Sequence, residues 1–368
     1  MNRMEGMVKK IWNAMRQKKA GGWYNAHMAA ASHAISQRIP LVDFVLEVRD
    51  ARIPFSSQCH LFNNDNNNFP KSRRIIVLNK TDLSNSSLLK DWFNYFQQQN
   101  CIAFGVNSHN TSSVKQFLNF LQKKVRESEK TDESSCATTI MMVGIPNVGK
   151  SALANSLHQI GRTSAAEKGK LRRAIVSPYP GETKDISFFK IGSHPNIYIL
   201  DTPGILPPKI IDMEIFSKLA LTGAFKDCLI GEKELARYFL AILCLNDEYR
   251  KWTKTNASEN VTSILDQKTT ASSVSETDKQ KKYFTDHTQD LVVHGIRQAL
   301  ALTISCFNGN LQTEKDLEKL IELQVRTLKQ AFHVSVEPDN DSDTKVASKL
   351  LNLYRTGRLG HYTLETPD

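Results

Sequence analysis

The chain has 368 residues, 40% of them hydrophobic, and a formal net charge of +10. That length suits about two domains, and with no run of roughly 18 apolar residues a helical membrane span is not expected. The basic balance points to an anionic partner, usually nucleic acid, and six scattered cysteines without a Cys-x-x-Cys pair speak against a zinc site and for free thiols.

The first twenty residues set Lys9, Lys10, Arg16, Lys18 and Lys19 against Glu5, with Met7, Val8, Ile11, Trp12 and Met15 at helical spacing. Such a segment is either an organelle-targeting helix or a basic amphipathic helix that stays in the folded chain. Short β-type runs follow at 41–48, 74–78, 102–106, 139–143, 186–191 and 197–200, with helical stretches at 87–98, 113–125 and 150–159. Strands alternating with helices predict an α/β domain with a parallel sheet covered on both faces. Residues 253–282, rich in Ser, Thr, Asn, Lys and Asp, read as a flexible insertion. Amphipathic helices are expected at 288–306 and 313–332, then an acidic turn at 337–343, a last helix and a basic-aromatic tail. The expected organisation is an N-terminal basic helical segment over 1–38, a nucleotide-binding domain over 39–210 and a C-terminal helical domain over 211–368.

Three motifs carry chemistry. Gly144-Ile145-Pro146-Asn147-Val148-Gly149-Lys150-Ser151 fits the G-x-x-x-x-G-K-[ST] phosphate loop between a strand and a helix. Its glycines let backbone N–H groups close on a β-phosphate and the helix N-terminus adds partial positive charge. Asn147, Val148, Gly149, Lys150, Ser151 and Ala152 are the expected nucleotide contacts, Lys150 reaching the β- and γ-phosphates and Ser151 binding Mg2+. Asp201-Thr202-Pro203-Gly204 ends a strand, where the acid suits Mg2+ and the Gly204 N–H the γ-phosphate. Thr183, in Pro180-Gly181-Glu182-Thr183, would complete the Mg2+ shell. Asn79-Lys80-Thr81-Asp82 caps another strand. A carboxylate at Asp82 can accept from both guanine donors, which adenine lacks, so the ligand expected is GTP. Asn79 and the Lys80 stem would hold the loop and cover the base, with Ser108 in support.

In ordinary small GTPases the phosphate loop comes first; here Asn79 to Asp82 precedes it. In that order, in Asp50-Ala51-Arg52-Ile53-Pro54 after a strand, in Pro146-Asn147-Val148 and in the ending from Arg355 to Leu364, the chain resembles the circularly permuted ribosome-biogenesis GTPases of the YlqF/RbgA type. It looks most like their organellar members, the mitochondrial ribosome-associated GTPases and plant DAR GTPases. The resemblance implies a circularly permuted Ras-like P-loop domain followed by a helical domain. It also implies a Mg2+-dependent GTP hydrolase that associates with the large ribosomal subunit or its precursor in a mitochondrion or, as the alternative, a chloroplast. A monomer with no integral membrane part is expected.

A Ras-type enzyme orients the attacking water with a Gln soon after Asp-x-x-Gly. Ile205 and Leu206 stand there instead. Two groups are candidates to complete the site. Asn147 either stabilises the loop turn or helps bind a K+ ion beside the phosphates, as in related potassium-dependent GTPases. His27, in a Trp23-Tyr24-Asn25-Ala26-His27-Met28 segment similar to the family's, is either a water-orienting group or a structural residue at a helix start. Together, Lys150, Thr183 and His27 are the expected catalytic residues.

For RNA, two surfaces stand out: Lys168, Lys170, Arg172 and Arg173, and the tail where Arg355, Arg358 and His361 interleave with Tyr354 and Tyr362 for stacking on bases. Asp50 and Arg52 read as an internal ion pair. An RNA-binding scaffold that keeps GTP as a structural ligand is the rival reading, and a signalling GTPase fits the net positive charge less well.

Overall fold

The computed structural model describes residues 4–17, 23–62, 69–129, 137–164, 174, 176–177, 179–181, 183, 185–210, 212–246, 252, 291–334 and 340–367. The expected insertion at 253–282 and the cluster of Lys168, Lys170, Arg172 and Arg173 lie outside them. The chain forms two compact units, Ala14–Ile230 with His361–Asp368, and Met1–Asn13 with Gly231–Gly360. The division lies at Asn13, Ile230 and Gly360 rather than at the expected boundaries of 38 and 210.

In the larger unit the strands are β1 (Phe44–Asp50), β2 (Arg74–Asn79), β3 (Ile102–Val106), β4 (Thr138–Val143), β5 (Ser187–Ser193) and β6 (Asn196–Asp201), in the order β3-β2-β1-β4-β6-β5. All pairs are parallel except β5 against β6. Read from β4 onward this is the Ras-like order, with its last three strands moved ahead of the phosphate loop. Helices α2 (Ala26–Arg38) and α3 (Ser86–Gln98) cover one face. There Ile35, Ile39, Val45, Met141, Val143 and Ile205 form one apolar cluster, and Ile76, Leu78, Trp92 and Phe96 another. The opposite face carries α4 (Thr111–Glu129), through Phe117 on Phe104, and α5 (Lys150–Ser164), through His158 on Phe189. A sheet covered on both faces needs strands buried throughout, and all seven residues of β1 are.

Three of those seven are charged. The Glu47 carboxylate accepts from Arg49 Nε and Nη2, from Arg74 Nε and Nη2, and from the Cys59 backbone N–H at 2.8 Å. Burial alone would raise its pKa, but the two guanidiniums reverse this and hold it below the ordinary carboxylate range. Asp50 and Arg52 do form the expected ion pair, at 2.8 Å.

Beyond β6 the larger unit continues into α6 (Met213–Leu221), whose Phe216 meets Trp23 and Phe225. These aromatic contacts are why residues up to 230 stay with the sheet. The smaller unit is helical, with α1 (Glu5–Gln17), α7 (Glu232–Leu245), α8 (Leu291–Ser305), α9 (Glu314–Ala331) and α10 (Asn340–Arg355). Met7, Val8 and Ile11 of α1 are buried, Lys10 pairs with Glu318 on α9, and a Cβ on Gly6 would collide with Glu314. The helix as far as Asn13 thus packs within this unit. The acidic run expected as a turn at 337–343 instead overlaps the start of α10, where Asp341 and Asp343 complement the helix N-terminus. No helix among the described residues is long and apolar enough to cross a membrane.

Replacing Glu47 with Ala strands the buried Arg49 guanidinium and removes the partner of the half-buried Arg74, and should lower unfolding stability by about 3–5 kcal/mol, measured by urea denaturation. Because the folded-state pKa values of Glu47 and Asp50 are depressed, their stabilisation is present above the unfolded carboxylate value of about 4 and is lost as pH falls below it. An acid-titration midpoint unchanged in Glu47→Gln would contradict this assignment.

Candidate nucleotide-binding site

The site is built from three loops at the C-terminal ends of β2, β4 and β6, where ligands of open α/β sheets collect. The loop after β4 has two positive-φ glycines, and neither has room for a side chain. A Cβ on Gly144 would lie 2.3 Å from the Val48 carbonyl, and one on Gly149 would lie 2.4 Å from Asn79 Nδ2. Lys150 begins α5, is 5% exposed, and donates to the carbonyls of Gly144 and Ile145 at 3.1 and 2.9 Å. Burial pulls its pKa down to about 8, against the attraction of Asp201. Val148 is buried, and Ser151 and Ala152 are half-buried on the first turn of α5.

Ser151 and Thr183 are brought together, their hydroxyl oxygens 3.1 Å apart. Asp201 is fully buried at the end of β6, and neither carboxylate oxygen has a well-formed hydrogen bond. Burial pushes its pKa up, only partly offset by the Ser151 hydroxyl and the Lys150 ammonium. Gly204 lies so close to the phosphate loop that a Cβ would be 2.6 Å from Pro146 Cα. Ile205 is fully buried, with its N–H on the Gly144 carbonyl at 3.2 Å.

The loop after β2 is tied to the other parts of the site by one amide. Asn79 Nδ2 donates to the Val148 carbonyl at 2.8 Å, while Asn79 Oδ1 accepts from Ser108 Oγ at 2.7 Å and the Ser108 N–H at 3.3 Å. Lys80 follows in the left-handed region (φ 62°), uncommon outside glycine. Its ammonium donates to Asp50 Oδ2 at 2.9 Å, so the Asp-Ala-Arg loop holds the residue expected to cover the base. Burial opposes the ionisation of Asp50, but Arg52 and Lys80 hold its carboxyl well below the usual range. Sequence reasoning found the Arg52 partner but missed Lys80; the parallel register that sets Asp50 beside Asn79 is the signal for it. Asp82 is exposed on the short turn Thr81–Leu83.

The remaining candidates divide. Asn147 donates its side-chain amide to the Gly223 carbonyl at 2.8 Å, tying the phosphate loop to the turn after α6. His27 is exposed on the first turn of α2, whose N-cap is Asn25, with the Met28 N–H on Asn25 Oδ1 at 2.9 Å. Residues flanking His27 reach the stretch just after Gly204: Trp23 Nε1 donates to the Pro207 carbonyl at 2.9 Å, and the Leu206 N–H meets Met28 Sδ at 3.3 Å. The base-stacking role expected of the tail is not supported. Tyr354 is buried against Phe239, ring centres 4.5 Å apart, and Tyr362 is buried too, so neither ring offers a face to RNA. Arg355 and Arg358 are half-buried and His361 is exposed.

A family model described as 50S ribosome-binding GTPase matches residues 139–283. DAR GTPase 2, mitochondrial, of Arabidopsis thaliana is 55% identical over 343 residues, covering 93% of this chain and 90% of that protein. Short integuments 2, mitochondrial, of the same plant is 39% identical, covering 95% and 90%. Ribosome biogenesis GTPase A of Bacillus pumilus is 32% identical, covering 66% and 83%. Among solved structures, the GDP-bound form of TM YlqF is similar with a TM-score of 0.47 at 19% identity, covering 91% of this chain and 99% of that one.

A phosphate group favours the charged form of Lys150, whose pKa of about 8 lies near neutrality. Below that value the ammonium is already protonated; above it, binding must take up a proton. GDP affinity measured from pH 7 to 9.5 should therefore be flat at first and then fall by about tenfold per unit. A flat profile to pH 9.5 would show that Lys150 keeps its ordinary value.

Proposed function

The chain belongs to the circularly permuted ribosome-biogenesis GTPases of the YlqF/RbgA type, and we propose that it hydrolyses GTP in the mitochondrion while assisting assembly of the large ribosomal subunit. The GTPase half of this reading is carried by the Asn79 node, which joins a guanine-reading loop to a phosphate loop in one buried hydrogen-bonded unit. The ribosomal and mitochondrial half is supported by what the relatives are named for and by the +10 net charge, which suits an RNA-rich partner.

In this reading Asp82 accepts from the guanine edge, Asn79 and Ser108 hold the loop, and the Lys80 stem covers the ring. The backbone from Asn147 to Ala152 surrounds the phosphates, and Lys150 exchanges its two carbonyl partners for phosphate oxygens. Ser151, Thr183 and Asp201 fit a magnesium ion: two hydroxyl oxygens 3.1 Å apart and a buried carboxylate lacking well-formed hydrogen bonds form a hard-oxygen donor set. Mg2+, when bound, neutralises charge on the β- and γ-phosphates. Gly204 would donate its N–H to the γ-phosphate.

The attacking water needs a group other than Ile205, whose side chain belongs to the core. His27 is that group in this proposal, supported by the anchoring of Trp23 and Met28 to residues 206–207. A potassium ion near Asn147 is the finer part of the reading; the amide's bond to Gly223 equally supports a role in loop geometry.

His27→Ala should lower subunit-stimulated turnover roughly a hundredfold with GTP affinity unchanged; equal turnover would remove His27 from the chemistry. The chain should sediment with large subunits when loaded with a non-hydrolysable GTP analogue and leave them with GDP. Large subunits should raise GTP turnover, and more in K+ than in Na+. Unstimulated turnover would return the chain to a scaffold role, and equal rates in the two salts would strike out the potassium site alone.

A further inference from the structure

We propose that residues 361–367 act as a positioning strap for the guanine-reading loop, so that discrimination among purine nucleotides depends on Thr363 and Glu365. This rests on reading Asn79 to Asp82 as the base-reading loop. The segment returns to the larger unit and hydrogen-bonds both loops that flank the base position. On the Asn79 side, the Tyr362 N–H donates to the Leu83 carbonyl at 3.1 Å, one residue past Asp82, and Thr363 Oγ1 accepts from the Asn85 N–H at 3.0 Å. On the Asp50 side, the Leu364 N–H donates to the Arg52 carbonyl at 2.8 Å. The Glu365 carboxylate accepts from the N–H groups of Phe55 (2.8 Å) and Ser56 (3.2 Å) and from the Ser56 hydroxyl. Lys218 lies 3.8 Å from the same carboxylate, and Trp92 Nε1 donates to the Glu365 carbonyl at 3.2 Å.

The two strapped loops already share a contact, since Lys80 on one pairs with Asp50 on the other. Asn79 and Lys80 fix the start of this loop, and the bonds from Tyr362 and Thr363 fix its far side at Leu83 and Asn85, so the exposed turn carrying Asp82, past the last residue of β2, is held from both ends. A hydrogen bond tests donor position over fractions of an ångström, so a loosened turn loses its grip on the guanine amine first. Glu365 and Thr363 are only 8% exposed. In this proposal they are positioning residues, acting through the backbone groups they bind at Asn85, Phe55 and Ser56.

Inosine diphosphate lacks the exocyclic amine, so the ratio of IDP to GDP dissociation constants reports the Asp82 contact and cancels any change in phosphate binding or overall stability. Measured by fluorescence titration on the full chain, this ratio should fall about tenfold in Glu365→Ala and in Thr363→Val, the loss expected for one hydrogen bond to a charged group. In Glu365→Gln, which keeps an acceptor oxygen, it should fall by less. Asp82→Asn serves as the reference for a lost contact. A lower thermal midpoint with an unchanged ratio in both strap variants overturns the proposal and makes the strap a stability element. A wild-type chain that binds GDP and IDP alike would instead overturn the base-loop reading, and this proposal with it.

Discussion

One side-chain amide carries the architecture of the site. Asn79 donates to the phosphate loop at Val148 and accepts from Ser108, so the ends of β2, β3 and β4 meet on a single planar group. Both ends of that amide are used, and its burial makes any substitute costly, since an unpaired polar atom there loses water without gaining a partner. The same group explains Gly149. The amide nitrogen occupies the space a β-carbon would need, so the loop residue facing it can have no side chain. The loops after β2, β3 and β4 are thereby joined by one hydrogen-bonded group.

Around this node the protein places charge where a parallel sheet ordinarily has none. Glu47, Arg49 and Asp50 lie on a strand buried throughout, and Arg74 joins them from β2. Each is satisfied by a partner from a loop or a neighbouring strand, which makes the network a register device as well as an interaction: a slip of one residue would turn the carboxylate of Glu47 toward the apolar faces of α4 and α5. The orphaned Asp201 is the contrast. A fold that satisfies Glu47 five times over leaves an equally buried carboxylate without a proper donor, and a group held at such cost usually serves chemistry rather than stability.

The motifs were legible in the sequence because each is a local string whose chemistry depends on spacing alone. The central strands were legible because β1, β2 and β4, buried almost throughout, read as apolar runs. What escaped was whatever depends on distant burial. Helix α7 has nine consecutive or near-consecutive buried residues, Leu235 to Cys244 with one break, and so shows no amphipathic period to find. The acidic run that overlaps the start of α10 looks like a turn until helix-dipole preference is weighed against composition. Tyr354 and Tyr362 have the composition of an RNA-stacking tail, and only the fold shows that both rings are interior. The division of the chain falls at Ile230 rather than 210, where α6 meets Trp23, almost two hundred residues earlier in the chain, through aromatic contacts.

The return of residues 361–367 also orders events in time. A polypeptide emerges N-terminus first, so the strands, the phosphate loop and Asn79 are all synthesised before the segment that hydrogen-bonds Leu83, Arg52 and Ser56. Until that segment is made, the Leu83 and Arg52 carbonyls and the Phe55 and Ser56 N–H groups lack the partners they have in the finished fold. The permuted motif order thus puts the loop after β2 and the segment that fastens it at opposite ends of synthesis, with the phosphate loop and the whole helical unit from Gly231 to Gly360 made in between.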